Sequence, residues 1–74
     1  MKTMIERMLT QIREIGYSKG QLLSCDIYYN DLAVERGEQF VVRIHDAFGM
    51  NEHFRAKHIR KALKDALRFA KSLL

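Results

Sequence analysis

The spacing of apolar residues changes twice along this 74-residue chain, which limits the folds that the chain can adopt. Near the N-terminus the apolar residues recur at helical spacing. In the middle they alternate at every second position, and towards the C-terminus the helical spacing returns. The pattern predicts one α+β domain over residues 1–74, with two amphipathic helices and a small antiparallel sheet. Both helices are expected to pack on one face of the sheet, because each has a single apolar side.

Two helices are predicted from the two segments with helical spacing of apolar residues. The first covers residues 2–15 and ends at Gly16, since glycine readily adopts the left-handed conformation that terminates helices. The last begins near Asn51, a favourable N-cap residue, with Glu52 in its first turn. The apolar positions of the last helix cover an arc of about 160°; they are Ile59, Ala62, Leu63, Ala66, Leu67, Ala70, Leu73 and Leu74.

Three strands are predicted between the helices. Residues 21–29 and 39–45 alternate apolar and polar side chains, as half-buried strands do. A short strand at Leu32–Glu35 is predicted between them, because a two-residue turn at Asn30-Asp31 would keep the apolar side chains of all three strands on one side. The predicted order is α-β-β-β-α. The alternative is α-β-β-α, in which residues 30–38 form one long loop.

The composition is typical of a globular domain, with 47% hydrophobic and 30% charged residues. The only cysteine, Cys25, cannot form an internal disulfide, so an oxidising compartment would not stabilise the fold. No apolar segment approaches the ~18 residues that a membrane span requires. The amphipathic N-terminus carries Glu6 and Glu14, which is unlike a secretory signal. A cytoplasmic protein that does not bind membranes is therefore expected. Binding of the last helix to an anionic membrane surface is a less favoured alternative, because the core requires the apolar side of that helix.

The positive charge is concentrated near the C-terminus. Residues 1–50 contain six basic and seven acidic side chains, whereas residues 51–74 contain seven basic and two acidic ones. Six of these cations fall within an arc of roughly 100° at helical spacing. They are called the basic face below, and they are Lys57, Arg60, Lys61, Lys64, Arg68 and Lys71.

The basic face predicts an anionic partner, because a surface helix normally mixes charges of both signs. A nucleic-acid backbone is the first expectation, since phosphate contacts require only positive charge and reach. The alternative is an inhibitor or adaptor of a larger complex, of the kind found on mobile elements, which docks the same face on an acidic protein surface. A solvated face that serves only solubility is the simplest alternative.

The sheet face turned away from the helices is a second predicted surface. With the helices on one side only, the other side stays open to a partner or to a second copy of the chain. A homodimer is one expected use of this surface. The predicted partner patch comprises Tyr28, Val41, Arg43 and Phe48. For Phe48 the favoured expectation is packing against the core beside Met50, at the entry to the last helix, and exposure to a partner is the alternative.

No catalytic or metal-binding arrangement is evident in the sequence. Cys25 and His45 fall on opposite faces of the predicted sheet, so they do not form a nucleophile–base pair. His53 and His58 are five residues apart, which separates them by about 140° on a helix. His45-Asp46 lacks a third convergent group. The chain is expected to be a binding protein, not an enzyme, with no cofactor, metal or small-molecule substrate.

The predicted order of elements, with cations on the last helix, resembles in outline the double-stranded RNA-binding domains. In that family, a lysine-rich start of the last helix contacts phosphates across a groove, and the segment from Arg55 to Ala62 is loosely similar to it. The family's Gly-Pro-x-His loop between the first two strands has no counterpart at Tyr29-Asn30-Asp31. The resemblance implies backbone contacts from the basic face without a second groove contact.

Overall fold

The structure, a computed structural model, describes residues 3–18, 20 and 23–73. Three strands form one antiparallel sheet in the order β1-β2-β3. The predicted α-β-β-β-α order is therefore confirmed. In chain order the elements are α1 (Met4–Ser18), β1 (Ser24–Tyr29), a 3₁₀ helix (Asp31–Ala33), β2 (Phe40–His45), β3 (Asn51–Ala56) and α2 (Ile59–Ser72).

The prediction of a strand at Leu32–Glu35 is wrong. The side chain of Asn30 accepts a hydrogen bond from the amide of Leu32 at 3.1 Å, which starts a 3₁₀ turn in place of a hairpin. The amide of Glu38 then donates to the carbonyl of Ala33 at 3.1 Å and closes a compact connection between β1 and β2. Local side-chain-to-backbone bonds of this kind compete with strand pairing.

The third strand is β3, whose residues the sequence pattern places at the start of the last helix. Asn51 pairs with His45 across the sheet instead of capping a helix. The carboxylate of Asp46 accepts hydrogen bonds from the amides of Phe48 (2.8 Å) and Met50 (2.9 Å), and so organises the hairpin between β2 and β3. Gly49 in this hairpin has a φ of 103°, a conformation that side chains with a Cβ atom rarely adopt.

Helix α1 is longer than predicted. It continues through Gly16, which is buried within it, and the left-handed glycine that follows its end is Gly20, with a φ of 70°. Its start is fixed by a capping box: the amide of Glu6 donates to the hydroxyl of Thr3 at 3.1 Å, and the amide of Thr3 donates to the Glu6 carboxylate at 3.3 Å. The predicted helix start at residue 2 and strand start at residues 21–22 lie outside the described residues.

The core forms between the sheet and the two helices. Apolar side chains of β1, β2 and β3 share one cluster with Met8 and Ile12 of α1 and with the buried side of α2, so both helices cover the same sheet face, as predicted. Val41 points to the other face yet is only 2% exposed, and Ala33 in the β1–β2 connection is 1% exposed. Neither belongs to the main core cluster.

Candidate nucleic-acid interface

Five of the six basic-face residues lie on α2, and all six are exposed. Lys57 precedes the helix, which begins at Ile59 and not near Asn51 as predicted. The five helical cations therefore extend over about 16 Å along the axis, from Arg60 to Lys71. The predicted arc of roughly 100° is kept for these five residues, because their helical spacing is unchanged by the later start. It does not apply to Lys57, which lies outside the helix.

The opposite side of α2 fixes the direction of the basic face. Ala62, Leu63, Ala66 and Ala70 have no exposed surface and belong to the core cluster. The alanines let the helix approach the sheet and α1 closely, because they add no side-chain bulk beyond Cβ. With this side packed, the cations are turned to solvent.

Asp65 is the acidic residue of α2 and it pairs with two of the cations. Its carboxylate lies 2.8 Å from the Lys61 ammonium and 4.0 Å from the Arg68 guanidinium. The Asp65 side chain is only 25% exposed, whereas those of Lys61 and Arg68 are 62% and 80% exposed. Asp65 thus lowers the positive potential at one border of the basic face.

The other cations of the basic face keep their full charge towards solvent. Within residues 3–18, 20 and 23–73, no ion pair forms at Lys57, Arg60, Lys64 or Lys71. Lys71 shares a cleft with Glu14 between the C-terminal ends of the two helices. The positive potential is therefore strongest towards the start of α2.

The N-terminal end of α2 adds to this potential. Its N-cap residue, His58, makes no side-chain capping hydrogen bond, and its first turn holds Arg60 and Lys61 but no acidic residue. Helix N-termini carry a partial positive charge from unpaired amides, so cations there are unfavourable by about 0.3–1 kcal/mol each. This end of the helix concentrates positive charge at a cost in stability.

The β1–β2 connection holds Lys57 beside the start of α2. The side-chain amide of Gln39 donates to the Lys57 carbonyl at 3.2 Å. A Cβ atom built on Gly37 would lie 3.9 Å from the Cβ of Lys57, so the connection passes close by. These contacts join residues 18 and 20 positions apart, and no local sequence pattern indicates them.

The predicted partner patch does not form one surface. Tyr28 is 44% exposed and lies directly opposite Val41, which is buried and cannot contact a partner. Phe48 is 86% exposed, so the favoured prediction that it packs against the core is wrong, although Met50 does pack there. Phe48 lies in the hairpin beyond His45, whereas Tyr28 is paired at the other end of β2.

Arg43 is held within the outer sheet face by its neighbours. Its guanidinium donates to the carboxylate of Asp26, and the His45 ring lies 3.1 Å from the same carboxylate oxygen. The hydrogen bond from Arg43 holds the pKa of Asp26 below its usual 3.8, with a smaller contribution from His45. Arg43 is therefore partly neutralised, which makes it a weaker anion contact than the residues of the basic face.

Two further basic or titratable residues lie on the outer sheet face and were not predicted there from the sequence. His53 and Arg55 lie on β3, opposite Arg43 and Val41 respectively. Their assignment to a helix concealed their shared face with β2. The signal that indicates the strand is the five-residue connection Asp46–Met50 with its glycine, a common length for a hairpin loop.

The candidate catalytic residues do not converge. Burial raises the pKa of the Cys25 thiol to about 11, so at neutral pH it is protonated and a poor nucleophile. His45 lies on the opposite sheet face, and Asp46 accepts its hydrogen bonds from the hairpin backbone. Within the described residues, no group of three or more His, Cys, Asp or Glu side chains has the arrangement of a metal site.

Comparisons with protein-family models, curated proteins and solved structures find no match for this chain. Among the helices that the structure describes, none has the length and apolarity needed to cross a membrane.

Proposed function

We propose that this chain binds nucleic acid through the sugar–phosphate backbone, using the basic face. The observation that carries the proposal is the exposure of all six cations, five of them on one side of α2, with Asp65 as the acidic side chain beside them. A duplex strand carries one phosphate for every ~3.4 Å of its axis, so the length of the row of helical cations is comparable with several backbone phosphates. The basic face carries no asparagine or glutamine for base-edge readout, so contacts to the backbone fit it best.

The unfavourable start of α2 supports a binding role over a purely solubilising one. Solubility is served equally well by cations placed near the C-terminus of a helix, where the dipole favours them. Arg60 and Lys61 instead occupy the first turn, where an added phosphate would neutralise both the side chains and the free amides. The first turn of α2, with Lys57 beside it, is therefore the proposed centre of the phosphate contacts.

The test is fluorescence-polarisation binding to labelled duplex RNA, duplex DNA and single strands, at salt concentrations from about 50 to about 300 mM. Duplex RNA is the first ligand because of the resemblance in element order. With about four to six phosphate contacts, the logarithm of the association constant should fall with that of salt at a slope of about −3 to −5. Absence of binding at the lowest salt would overturn the proposal.

A pair of matched variants separates the basic face from net charge. Lys61→Glu/Lys64→Glu should weaken binding at least about tenfold and reduce the salt slope by about two. Arg7→Glu/Arg13→Glu makes the same change in charge at exposed positions of α1 and should have a much smaller effect. Equal losses in both variants would show that only net charge matters.

A second variant set tests the position of the centre. Arg60→Ala and Lys64→Ala should each weaken binding more than Lys71→Ala, because Lys71 lies at the negative end of the helix dipole and near Glu14. Asp65→Asn should strengthen binding a few-fold by releasing Lys61 and Arg68. Docking on an acidic protein would instead concentrate its energy in a few anchor residues, and it is the conclusion to draw if nucleic acids do not bind.

A further inference from the structure

The two edges of the sheet differ in how they are protected from pairing. Edge strands expose unpaired backbone groups, and proteins usually protect them with charged side chains, proline or bulges. The β3 edge has Glu52, His53 and Arg55 among its six residues. The β1 edge has one charged residue, Asp26, whose carboxylate is already paired with Arg43. Within the described part of the chain, no strand covers β1 on its outer side.

The side chains of β1 are also incompletely covered. Ile27 and Tyr29 point to the same face as the core, yet they remain 36% and 56% exposed. Helix α2 packs on β2, β3 and α1, so only α1 is available to cover β1. An open cleft between α1 and the start of β1 is lined by Arg13, Tyr17 and residues 23–26.

The backbone of β1 fixes which groups are free. The amide of Asn30 donates to the carbonyl of Gln39 at 2.7 Å, which marks that pair as hydrogen-bonded. In an antiparallel pair, hydrogen-bonded and non-hydrogen-bonded residue pairs alternate along the strands. The amides and carbonyls of residues 24, 26 and 28 therefore point towards β2. Those of Cys25, Ile27 and Tyr29 point outwards and have no backbone partner among residues 3–18, 20 and 23–73.

We infer that β1 pairs with β1 of a second copy of this chain, in an antiparallel register centred on Ile27. This register places Ile27 opposite its counterpart and Cys25 opposite Tyr29, and all three carry outward-pointing backbone groups. Asp26 then faces Tyr28, whose hydroxyl is a suitable donor for a carboxylate. A register centred on Asp26 would instead bring two carboxylates together, which is unfavourable.

The charge distribution is compatible with this dimer. The basic face lies on α2, away from β1, so the two copies meet along their nearly neutral side. The two-fold axis of an antiparallel strand pair is perpendicular to the sheet, so all four helices lie on one face of a continuous six-stranded sheet. The partly exposed Ile27 and Tyr29 are then enclosed between the two copies of α1. This inference does not depend on the proposed nucleic-acid binding.

The first test is sedimentation equilibrium of the chain without nucleic acid, from about 1 to about 500 μM. The wild type should show a mass that doubles with concentration. Ile27→Lys should abolish the dimer by placing two ammonium groups on the axis. Asn51→Lys adds the same charge on the β3 edge and should leave the dimer intact. A wild type that stays monomeric, or a dimer that survives Ile27→Lys, would overturn the inference.

A cross-linking experiment tests the register and does not depend on the folding of the lysine variant. Directly opposite residues of a hydrogen-bonded pair have Cα atoms about 5.5 Å apart, within the range of a disulfide. Oxidation should therefore link Cys25→Ala/Ile27→Cys into a covalent dimer. In Cys25→Ala/Tyr29→Cys the two new thiols would be about 14 Å apart along the strands and should stay unlinked. The reverse result would overturn the proposed register.

Discussion

At the scale of single residues, the ionised Asp26 carboxylate on the outer sheet face contributes to the stability of the fold. Its pKa is lowered mainly by the hydrogen bond from Arg43, so the folded state favours the ionised carboxylate. This contribution is present above the unfolded value of 3.8 and disappears as the pH falls through the lower folded value. Because the side chains of Asp26 and Arg43 are 48% and 37% exposed, the contribution should be at most about 1 kcal/mol.

The corresponding prediction is that Asp26→Asn lowers the free energy of unfolding at pH 7, and that this loss diminishes as the pH falls below 3.8. Urea unfolding of both proteins across this range, about pH 2 to 7, measures the difference. The two stabilities should converge below about pH 4. A difference that is constant with pH would show that the loss comes from packing and not from the ionised carboxylate.

Also at the residue scale, Arg60 is expected to oppose stability and support binding. Arg60→Glu replaces a cation in the first turn of α2 with a carboxylate, four residues before Lys64. Both the helix dipole and the new pair at that spacing should raise the free energy of unfolding by about 0.5–1 kcal/mol. Chemical denaturation should show the gain, and the binding assay should show a loss of affinity. A variant that is both less stable and weaker in binding would indicate a structural role for Arg60.

At the scale of elements, the two helices, β1, β2 and their order were predictable from the sequence. In these segments the spacing of the apolar residues indicates one structure, and no capping or turn residue indicates another. The third strand was assigned wrongly because the turn and capping chemistry of two asparagines competed with the spacing of the apolar residues. Asn30 stabilises a 3₁₀ turn where a strand was expected. Asn51 has the chemistry of an N-cap but pairs with His45, which depends on the hairpin held by Asp46.

The hairpin between β2 and β3 should therefore depend on Asp46. Asp46→Ala removes an acceptor of two backbone hydrogen bonds, so it should destabilise the protein by about 1–3 kcal/mol. Thermal unfolding measures this loss. Asp31→Ala, at an exposed carboxylate in the β1–β2 connection, is the control and should have little effect. Equal losses would contradict a specific role for the Asp46 carboxylate.

At the scale of the whole molecule, the fold separates positive from negative side chains more completely than their order along the sequence does. The placement of the five helical cations of the basic face was predictable, since helical spacing alone puts them on one side. The position of Lys57 and the pairing of Arg43 with Asp26 were not, because they depend on residues about 18 positions away. The sequence therefore predicts which residues form the candidate site better than it predicts how their charge is balanced.

Such a concentration of like charge predicts stabilisation by polyanions. A ligand that binds only the folded state at about 100 times its Kd stabilises it by about 2.7 kcal/mol. Polyphosphate should therefore raise the Tm by several degrees at low salt. The variant Lys61→Glu/Lys64→Glu should lose most of this shift. An equal shift in both proteins would indicate binding elsewhere on the chain.

The fully buried alanines of α2 have a consequence for how this protein can change over generations. Ala62, Ala66 and Ala70 pack the inner side of α2 into the core. The exposed cations on the outer side of the helix contribute little to folding. Substitutions of the exposed cations should leave the fold intact, whereas larger side chains in place of the buried alanines should overpack the core. The charge of the outer side of α2, and with it the proposed binding surface, can therefore vary while the inner side keeps its sequence.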